Sequence, residues 1–385
     1  MTRLHIQLVS AQLAGNLIPA LMERPEHAAL IVTPAMAGQA QLLRKLEEEA
    51  GIAVQTFENA PDADLPQLHE FALGILEELP AADEVVLNLT GGNKLMALGF
   101  LEMLRDSVHR RIYTDTAHGR LEHLPEGNER AEAPTPQTSV LDVPISLRAQ
   151  GFRYHRAASA DEDWQREAGE RKQVAKRLAE VARDHGDFLG ALNAVASRSL
   201  DREGRLVARD QAFDDPPYGR WANNLGWLRD QGLLDWEGGA EVTFLDEERT
   251  RFLNGGWLEE YVYHRLRDEG LDDVAMGVEG TWEGTDKARN ELDVVAIHVN
   301  RLLVVECKTL RHGNEAADDQ QLYKLDSIGD NLRGFFGTSW MVSARQPTDI
   351  MRERARQHRI RLIGPDELPR LRDIVREWKA HVEPC

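Results

Sequence analysis

The sequence is poor in cysteine, with only Cys307 and Cys385 among 385 residues. Two cysteines cannot build a disulfide framework, and so few are typical of a protein that works in a reducing compartment. Long apolar runs are also missing: no stretch approaches the roughly 18 residues that a membrane-spanning helix needs. Polar residues interrupt the N-terminal stretch that a signal peptide would keep apolar. We therefore expect a cytoplasmic protein with no membrane association.

Basic side chains are in the minority, because 46 lysines and arginines face 65 aspartates and glutamates, a formal charge of −19. This balance excludes a nonspecific nucleic-acid coat protein, which needs an overall basic field. It does not exclude a nuclease, since carboxylates hold catalytic metals and a basic track for phosphates can be local. At roughly 100–200 residues per domain, the length predicts two or three domains.

The pattern of apolar residues divides the chain into three segments. Residues 1–150 alternate strand and helix patterns, which predicts an α/β fold with a Rossmann-like, doubly wound parallel sheet. Residues 151–245 are mainly helical and end in a helix followed by two short strands, a small winged-helix-like segment. Without a basic recognition helix, this segment favours a spacer or dimer surface over a DNA reader. Residues 246–385 predict a second α/β unit, with a hairpin turning at Asn300-Arg301.

Two acids and a lysine are expected to meet on this hairpin. Glu306 and Lys308 are two apart in a strand and share a face, and the predicted turn sets Asp293 opposite Lys308. Apolar neighbours imply that these charges project from a buried sheet, where unpaired charge is costly, so the cluster should hold a cation. Carboxylate oxygens suit Mg²⁺ or Mn²⁺. Lys308 would position or deprotonate a metal-activated water, or stabilise developing negative charge.

A further ligand is expected from the predicted helix Gly256–Glu269. Glu259 shares an inward-facing stripe with Val262 and Leu266, whereas Glu260 points away. A surface hairpin held by a salt bridge is the alternative interpretation of the whole cluster. The expected metal ligands are Glu259, Asp293 and Glu306, and the expected catalytic residues are Asp293, Glu306 and Lys308.

The order of these residues resembles the PD-(D/E)xK nuclease superfamily, in which a helix with Glu precedes Asp on one strand and Glu-x-Lys on the next. The corresponding positions are Glu259, Asp293 and Glu306-Cys307-Lys308. The resemblance implies a restriction-endonuclease-like domain over 246–385 that hydrolyses phosphodiesters with a divalent metal. A helix predicted over 315–332 would follow, where Gln321 and Lys324 contact the scissile phosphate or belong to a solvated face.

A glycine loop follows the apolar strand predicted at 84–89. Its sequence is Thr90-Gly91-Gly92-Asn93-Lys94. Two glycines allow close backbone approach and positive φ, and free N–H groups at a helix start bind anions. The spacing is neither a Walker loop nor a dinucleotide Gly-x-Gly-x-x-Gly, so mononucleotide hydrolysis is unsupported. A plain helix cap with a glycine turn is the alternative.

This loop resembles the Thr-Gly-Gly-Thr-Lys signature of CARF domains, the CRISPR-associated Rossmann-fold sensors of cyclic oligoadenylates, with Asn93 in place of the usual Thr. The exit of the first strand, residues 10–16, is similar to the other ligand loop of that family. Two further predicted strands end at Thr33 and near Asp115, on the edge where such a sheet presents its ligand. The ring-binding residues that the resemblance implies are Ser10, Gln12, Asn16, Thr33, Thr90, Gly91, Gly92, Asn93 and Lys94.

The whole chain resembles the CRISPR ancillary nucleases that join a CARF sensor to a C-terminal PD-(D/E)xK domain. That resemblance implies a homodimer that binds one ring, usually cyclic tetra-adenylate, and then cleaves single-stranded DNA, RNA or both. One alternative is a ligand-responsive transcription regulator with a decayed nuclease fold, against which the intact Asp293, Glu306 and Lys308 argue. Another is a ring nuclease that degrades its own ligand. A repair or restriction nuclease would leave the glycine loop unexplained.

Overall fold

The structure is a computed structural model that describes residues 1–127, 129–283, 290–309 and 337–380. Within these ranges the strands form a seven-stranded, a three-stranded and a six-stranded sheet, one in each part of the chain. None of the helices found there combines the length and the apolar character needed to cross a bilayer.

The first sheet has five parallel strands and two antiparallel strands at one edge, in the order β3-β2-β1-β4-β5-β6-β7. Its strands are β1 (Arg3–Leu8), β2 (His27–Ile31), β3 (Ala53–Phe57), β4 (Glu84–Asn88), β5 (Arg110–Asp115), β6 (Arg120–His123) and β7 (Thr135–Pro136). The connecting helices are α1 (Ala14–Glu23), α2 (Ala37–Glu49), α3 (Leu65–Leu76) and α4 (Lys94–Leu104).

Side-chain alternation along β1 fills a separate core on each face of this sheet. Leu4 and Ile6 pack with Phe100 of α4 on one face. On the other face Val9, just after β1, packs with Leu17 of α1. Helices therefore cover both faces, which confirms the predicted Rossmann-like doubly wound sheet.

The middle part begins with one long helix, α6 (Glu162–Ser199), whose backbone is non-helical at His185 (φ −144°, ψ 46°). The helix therefore kinks at this residue, and both of its parts agree with the mainly helical pattern predicted for this segment. Beyond α6 lie β9 (Asp210–Ala212), α7 (Arg220–Asp230), β10 (Leu234–Asp235) and β11 (Glu241–Phe244). The three strands form a small antiparallel sheet in the order β10-β11-β9. A helix followed by two short paired strands is the pattern expected for a winged-helix-like segment.

The last sheet has the order β16-β15-β14-β13-β12-β8. Its strands are β8 (Phe152–Ala157), β12 (Asp273–Trp282), β13 (Asn290–His298), β14 (Arg301–Lys308), β15 (Gly337–Ser343) and β16 (Ile360–Ile363). A short helix, α5 (Val143–Arg148), precedes β8. The other helices of this part are α8 (Glu247–Arg251), α9 (Trp257–Asp268), α10 (Asp349–Gln357) and α11 (Leu371–Ala380). Since β8 comes from the middle of the sequence, the division into 1–150, 151–245 and 246–385 remains a prediction about sequence.

The hairpin between β13 and β14 turns at Val299 and Asn300, where φ is 45° and 62°. His298 pairs with Arg301, so the predicted turn at Asn300-Arg301 is wrong by one residue. A two-residue turn of this kind needs positive φ at both positions, which Asn tolerates and a β-branched Val rarely adopts. Sequence preference therefore assigned Val299 to the strand.

This turn also holds the segment that leaves the first sheet. The Asn300 Oδ1 atom accepts the backbone N–H groups of Val140 and Leu141 at 2.9 and 3.1 Å, and its Nδ2 donates to the Thr138 carbonyl at 2.9 Å. Ser139 donates to Asp272 beside the turn at 2.6 Å. The first and last sheets are thus joined through this segment.

Candidate active site and ligand loops

The acids and the lysine of the hairpin lie on one face of the last sheet. Pairing of Val294 with Val305 sets Asp293 beside Glu306, not opposite Lys308 as expected. The face is unchanged because the one-residue shift of the turn displaces the pairing by two residues, and faces alternate with a period of two. Asp293 Oδ2 accepts the Cys307 backbone N–H at 2.6 Å, and the Lys308 ammonium donates to Glu306.

Burial and charge repulsion dominate the electrostatics of this cluster. Burial, together with the negative charge of Glu306, raises the pKa of Asp293 to about 7. Burial alone would lower the pKa of Lys308, but Glu306 and Asp293 outweigh it and hold that pKa above its usual value. Lys308 is therefore an ammonium at neutral pH, whereas Asp293 is partly protonated, and an added cation would favour its carboxylate form.

Helix α9 turns Glu259 toward the cluster and Glu260 away from it. Burial, followed by the charges of Asp293 and Glu291, raises the pKa of Glu259 well above its usual value. The Glu260 carboxylate is buried too, but it accepts from the Arg171 guanidinium of α6 at 2.8 Å. The two adjacent acids thus have separate environments, one beside the hairpin and one against the long helix.

Sequence reasoning missed Glu291, an exposed residue whose negative charge helps to raise the pKa values of both Glu259 and Asp293. It lies two residues before Asp293 in β13, so the same alternation that selected Asp293 sets it on the shared face. The Glu-x-Asp spacing of Glu291 and Asp293 is therefore the signal in the sequence that identifies it.

The donor chemistry of the cluster fits a hard divalent cation. Burial and neighbouring acids raise the pKa values of Glu259 and Asp293, which a bound cation would lower, and the Glu306 carboxylate pairs with the Lys308 ammonium. Within the described ranges, however, no three His, Cys, Asp or Glu side chains are gathered closely enough to hold a metal. The predicted helix 315–332 with Gln321 and Lys324 lies outside the described residues.

In the first sheet, the loops after β1 and β4 meet where the strand order reverses, the usual ligand edge of such folds. Asn88, buried at the end of β4, connects them. Its Nδ2 donates to the Gly15 carbonyl at 2.9 Å and to Asn16 Oδ1 at 3.0 Å, and its Oδ1 accepts the Thr90 hydroxyl at 2.6 Å. Sequence reasoning did not select Asn88, although a polar residue that ends an apolar strand was the available signal.

Four of the predicted ring-binding side chains are engaged within the protein. The Ser10 hydroxyl donates to the Gln12 carbonyl at 3.2 Å. The Thr90 hydroxyl also accepts the Thr114 backbone N–H at 2.7 Å. Asn16, which is buried, donates to the Leu8 carbonyl at 2.8 Å. Asn93 caps α4 through its Oδ1 atom. These groups hold the loops in shape.

The predicted residues also differ in exposure. Lys94 is exposed, Ser10 and Gln12 are half-buried, and Thr33 is buried. The glycines have steric reasons to be glycine: a Cβ on Gly91 would lie 1.7 Å from the Leu8 carbonyl oxygen, and Gly92 has φ +66°. The edge therefore combines a tightly packed backbone loop with the exposed Lys94 ammonium, an arrangement that suits a phosphate-bearing ligand.

Two family models match the chain. The model described as "Card1 CARF domain" matches residues 4–141, and the model described as "Card1-like, endonuclease domain" matches residues 246–382. The first covers the seven-stranded sheet and the second covers the carboxylate cluster. No match is found among the curated proteins.

Solved structures are also similar to this chain. Protein VC1899 from Vibrio cholerae is 25% identical, with 99% of this chain and 98% of that chain covered and a TM-score of 0.84. Can2 from Sulfobacillus thermosulfidooxidans, solved in complex with cyclic tetra-adenylate, is 24% identical, with 98% and 97% covered and a TM-score of 0.78. A type III CRISPR defence DNA nuclease activated by cyclic oligoadenylate is 19% identical, with 90% and 46% covered and a TM-score of 0.54.

Proposed function

Because this chain belongs to the family of nucleases that join a Card1-type CARF domain to a Card1-like endonuclease domain, we propose that it is a cyclic-oligoadenylate-activated endonuclease of type III CRISPR antiviral defence. The observation that carries the proposal is the match of one chain to both domain models, the CARF model over residues 4–141 and the endonuclease model over residues 246–382. The endonuclease match argues against a transcription regulator with a decayed nuclease fold.

The activator we propose is cyclic tetra-adenylate, the ring bound in the Can2 structure. A cyclic tetra-adenylate ring has a two-fold axis, which matches the two-fold axis that relates two identical chains. The proposed active form is therefore a homodimer with one ring across two sensor domains. The glycine loop with Lys94 supports this role, because its packed backbone and exposed cation suit the phosphates of the ring.

Glu259, Asp293 and Glu306 would hold Mg²⁺ or Mn²⁺, which when bound supplies an activated water and neutralises phosphate charge. Lys308 is protonated at neutral pH, so its role is to donate to the substrate phosphate and stabilise developing negative charge, not to take a proton from water. Its pairing with Glu306 keeps the ammonium on the face that carries Asp293.

The substrates proposed for this PD-(D/E)xK-type site are single-stranded DNA and RNA. The test incubates labelled single strands of each with Mn²⁺, with and without each cyclic oligoadenylate. We expect cleavage that depends on metal and rises with cyclic tetra-adenylate, saturating at one ring per two chains. The Asp293→Asn variant controls for contaminating nuclease. Equal cleavage with and without every ring, or saturation at one ring per chain, would contradict the proposal.

A further inference from the structure

The long helix α6 lies between the two matched domains in sequence, yet one of its side chains reaches the nuclease site. The Asn193 Nδ2 atom donates to the Asn254 carbonyl at 2.8 Å and to the Thr309 hydroxyl at 2.9 Å. Asn193 is 1% exposed, and its Oδ1 accepts no hydrogen bond from the described residues. Both N–H groups of this buried amide therefore donate to residues of the nuclease domain.

The two acceptors stand next to the carboxylate cluster on different elements. Asn254 belongs to a π-helical turn, Phe252–Gly256, that leads directly into α9 and hence to Glu259. Thr309 directly follows Lys308 at the end of β14. Single π turns inside helices are frequent at functional sites. Asn193 thus bridges the turn that leads to Glu259 and the end of the strand that carries Glu306 and Lys308.

The contact between these elements is close. Gly255 in the π turn has φ +125°, and a Cβ there would lie 2.5 Å from the Thr309 hydroxyl oxygen and 3.3 Å from Asn193 Nδ2. Only glycine allows the turn to press against Thr309 in this conformation. The contact between Gly255 and Thr309 therefore fixes the separation of the turn and the strand end. The Asn193 side chain forms hydrogen bonds to both elements.

We propose that Asn193 is a positioning residue of the nuclease site, which fixes the distance of Glu259 from Glu306 and Lys308. This inference rests on the proposed nuclease function. It gives the middle segment a direct part in assembling the site. A carboxylate set that must close around a small cation tolerates little displacement, so loss of the bridge should weaken metal binding and slow turnover while leaving the sensor untouched.

The test compares the full-length wild-type protein with Asn193→Ala, Thr309→Val and the double variant. Mn²⁺ affinity is measured by calorimetry, and kcat and KM on a single strand are measured with saturating cyclic tetra-adenylate. Ser197→Ala is the matched control, since Ser197 is one turn further along α6 and donates to the Asn254 side chain at 2.6 Å without reaching Thr309.

We expect each single variant to weaken Mn²⁺ binding and lower kcat about tenfold, as loss of one or two hydrogen bonds implies. KM and ring affinity should stay within about twofold. The double variant should be no worse than the single variants, because both remove the same bridge. Thr309→Val keeps the test open if Asn193→Ala does not fold.

Wild-type Mn²⁺ affinity and kcat in folded Asn193→Ala would overturn the inference. So would losses that multiply in the double variant, or an equal loss in Ser197→Ala. If the wild-type protein cleaves neither DNA nor RNA, the proposed function falls instead. The calorimetric comparison then decides the role of Asn193 on its own.

Discussion

Asp293 and Glu306 lie side by side at the carboxylate cluster, and each is expected to be indispensable for cleavage. Asp293→Asn and Glu306→Gln keep the shape of the side chain and remove a ligand charge, so cleavage should fall by orders of magnitude. Ring binding, which we propose for the first sheet, should persist. Cleavage assays and calorimetry measure both, with Glu353→Gln as the control, since Glu353 is an exposed residue of α10. Full activity of both variants would remove these acids from the site.

Lys94 and Thr90 are expected to affect ring binding for different reasons. Loss of the exposed Lys94 charge should weaken binding about ten- to a hundredfold without changing stability, as expected for a charge-assisted phosphate contact. Thr90→Ala should weaken binding and also lower the melting temperature, because the hydroxyl bonds to Asn88 and Thr114. Thr90→Ser is the control. Unchanged ring affinity in Lys94→Ala would exclude this loop as the phosphate contact.

Glu47 is a fully buried acid of α2 whose Oε1 accepts from Gln7 at 2.7 Å. Burial raises its pKa from 4.5 to about 8. Between these values the folded protein keeps a proton that the unfolded chain has lost, so stability falls as pH rises, by up to about 1.4 kcal/mol per pH unit. In the Glu47→Gln variant this position does not titrate, so it makes no contribution to the pH dependence of stability.

Denaturant unfolding of wild type and Glu47→Gln at about pH 5 and about pH 8 measures this effect. The wild-type protein should lose more stability over that interval than the variant. Equal pH dependence in the two proteins would show that Glu47 does not hold its proton in the folded state.

Sequence periodicity could separate Glu259 from Glu260, because adjacent residues of a helix point about 100° apart. It could not find the roles of Asn88 or Asn193. Their contacts reach residues far away in the chain, Asn16 in one case and Thr309 in the other. A buried polar residue is selected by partners that only the folded chain brings near.

At the scale of elements, the π turn before α9 depends on glycine at one position. Gly255→Ala meets both a positive φ and the Thr309 hydroxyl, so it should destabilise the protein by about 1–3 kcal/mol and reduce cleavage. Gly226→Ala in α7 has open space around its Cβ and should be neutral or slightly stabilising. Denaturant unfolding measures both. Equal stability of the two variants would contradict a strained turn.

Strand prediction succeeded where the apolar signal was strong and failed where polar residues or glycine interrupt a strand. The sequences of β4 and β14 are buried and rich in Val and Leu, and both strands were recognised. The prediction missed β3 and β8, which lie at sheet edges, and also β12, which lies inside the last sheet. All three have mixed sequences that lack a continuous apolar run or a regular alternation.

At the scale of the whole molecule, the nuclease sheet depends on residues that precede its matched domain. β8 pairs with β12, and Leu178 of α6 packs in one core with Leu258 of α9. Fragment 151–385 retains these contacts and should fold and cleave without any response to the ring. Fragment 246–385 loses them, exposing the β12 edge and the inner face of α9, and should not fold stably.

Circular dichroism during heating and single-strand cleavage with and without the ring test the two fragments. A cooperative, active fragment 246–385 would show that the earlier residues are dispensable. A ring response in fragment 151–385 would contradict assignment of the sensor to the first sheet.

The place of β8 in the chain also sets an order of events during synthesis. β8 ends at Ala157 and its partner β12 begins at Asp273, more than a hundred residues later. At translation rates of about 5–20 residues per second, β8 waits roughly 5–25 s for that partner. All seven strands of the sensor sheet have left the ribosome before then. The nuclease sheet therefore cannot be completed until the whole sensor sheet has been synthesised. A growing chain thus carries no complete nuclease domain without a sensor domain.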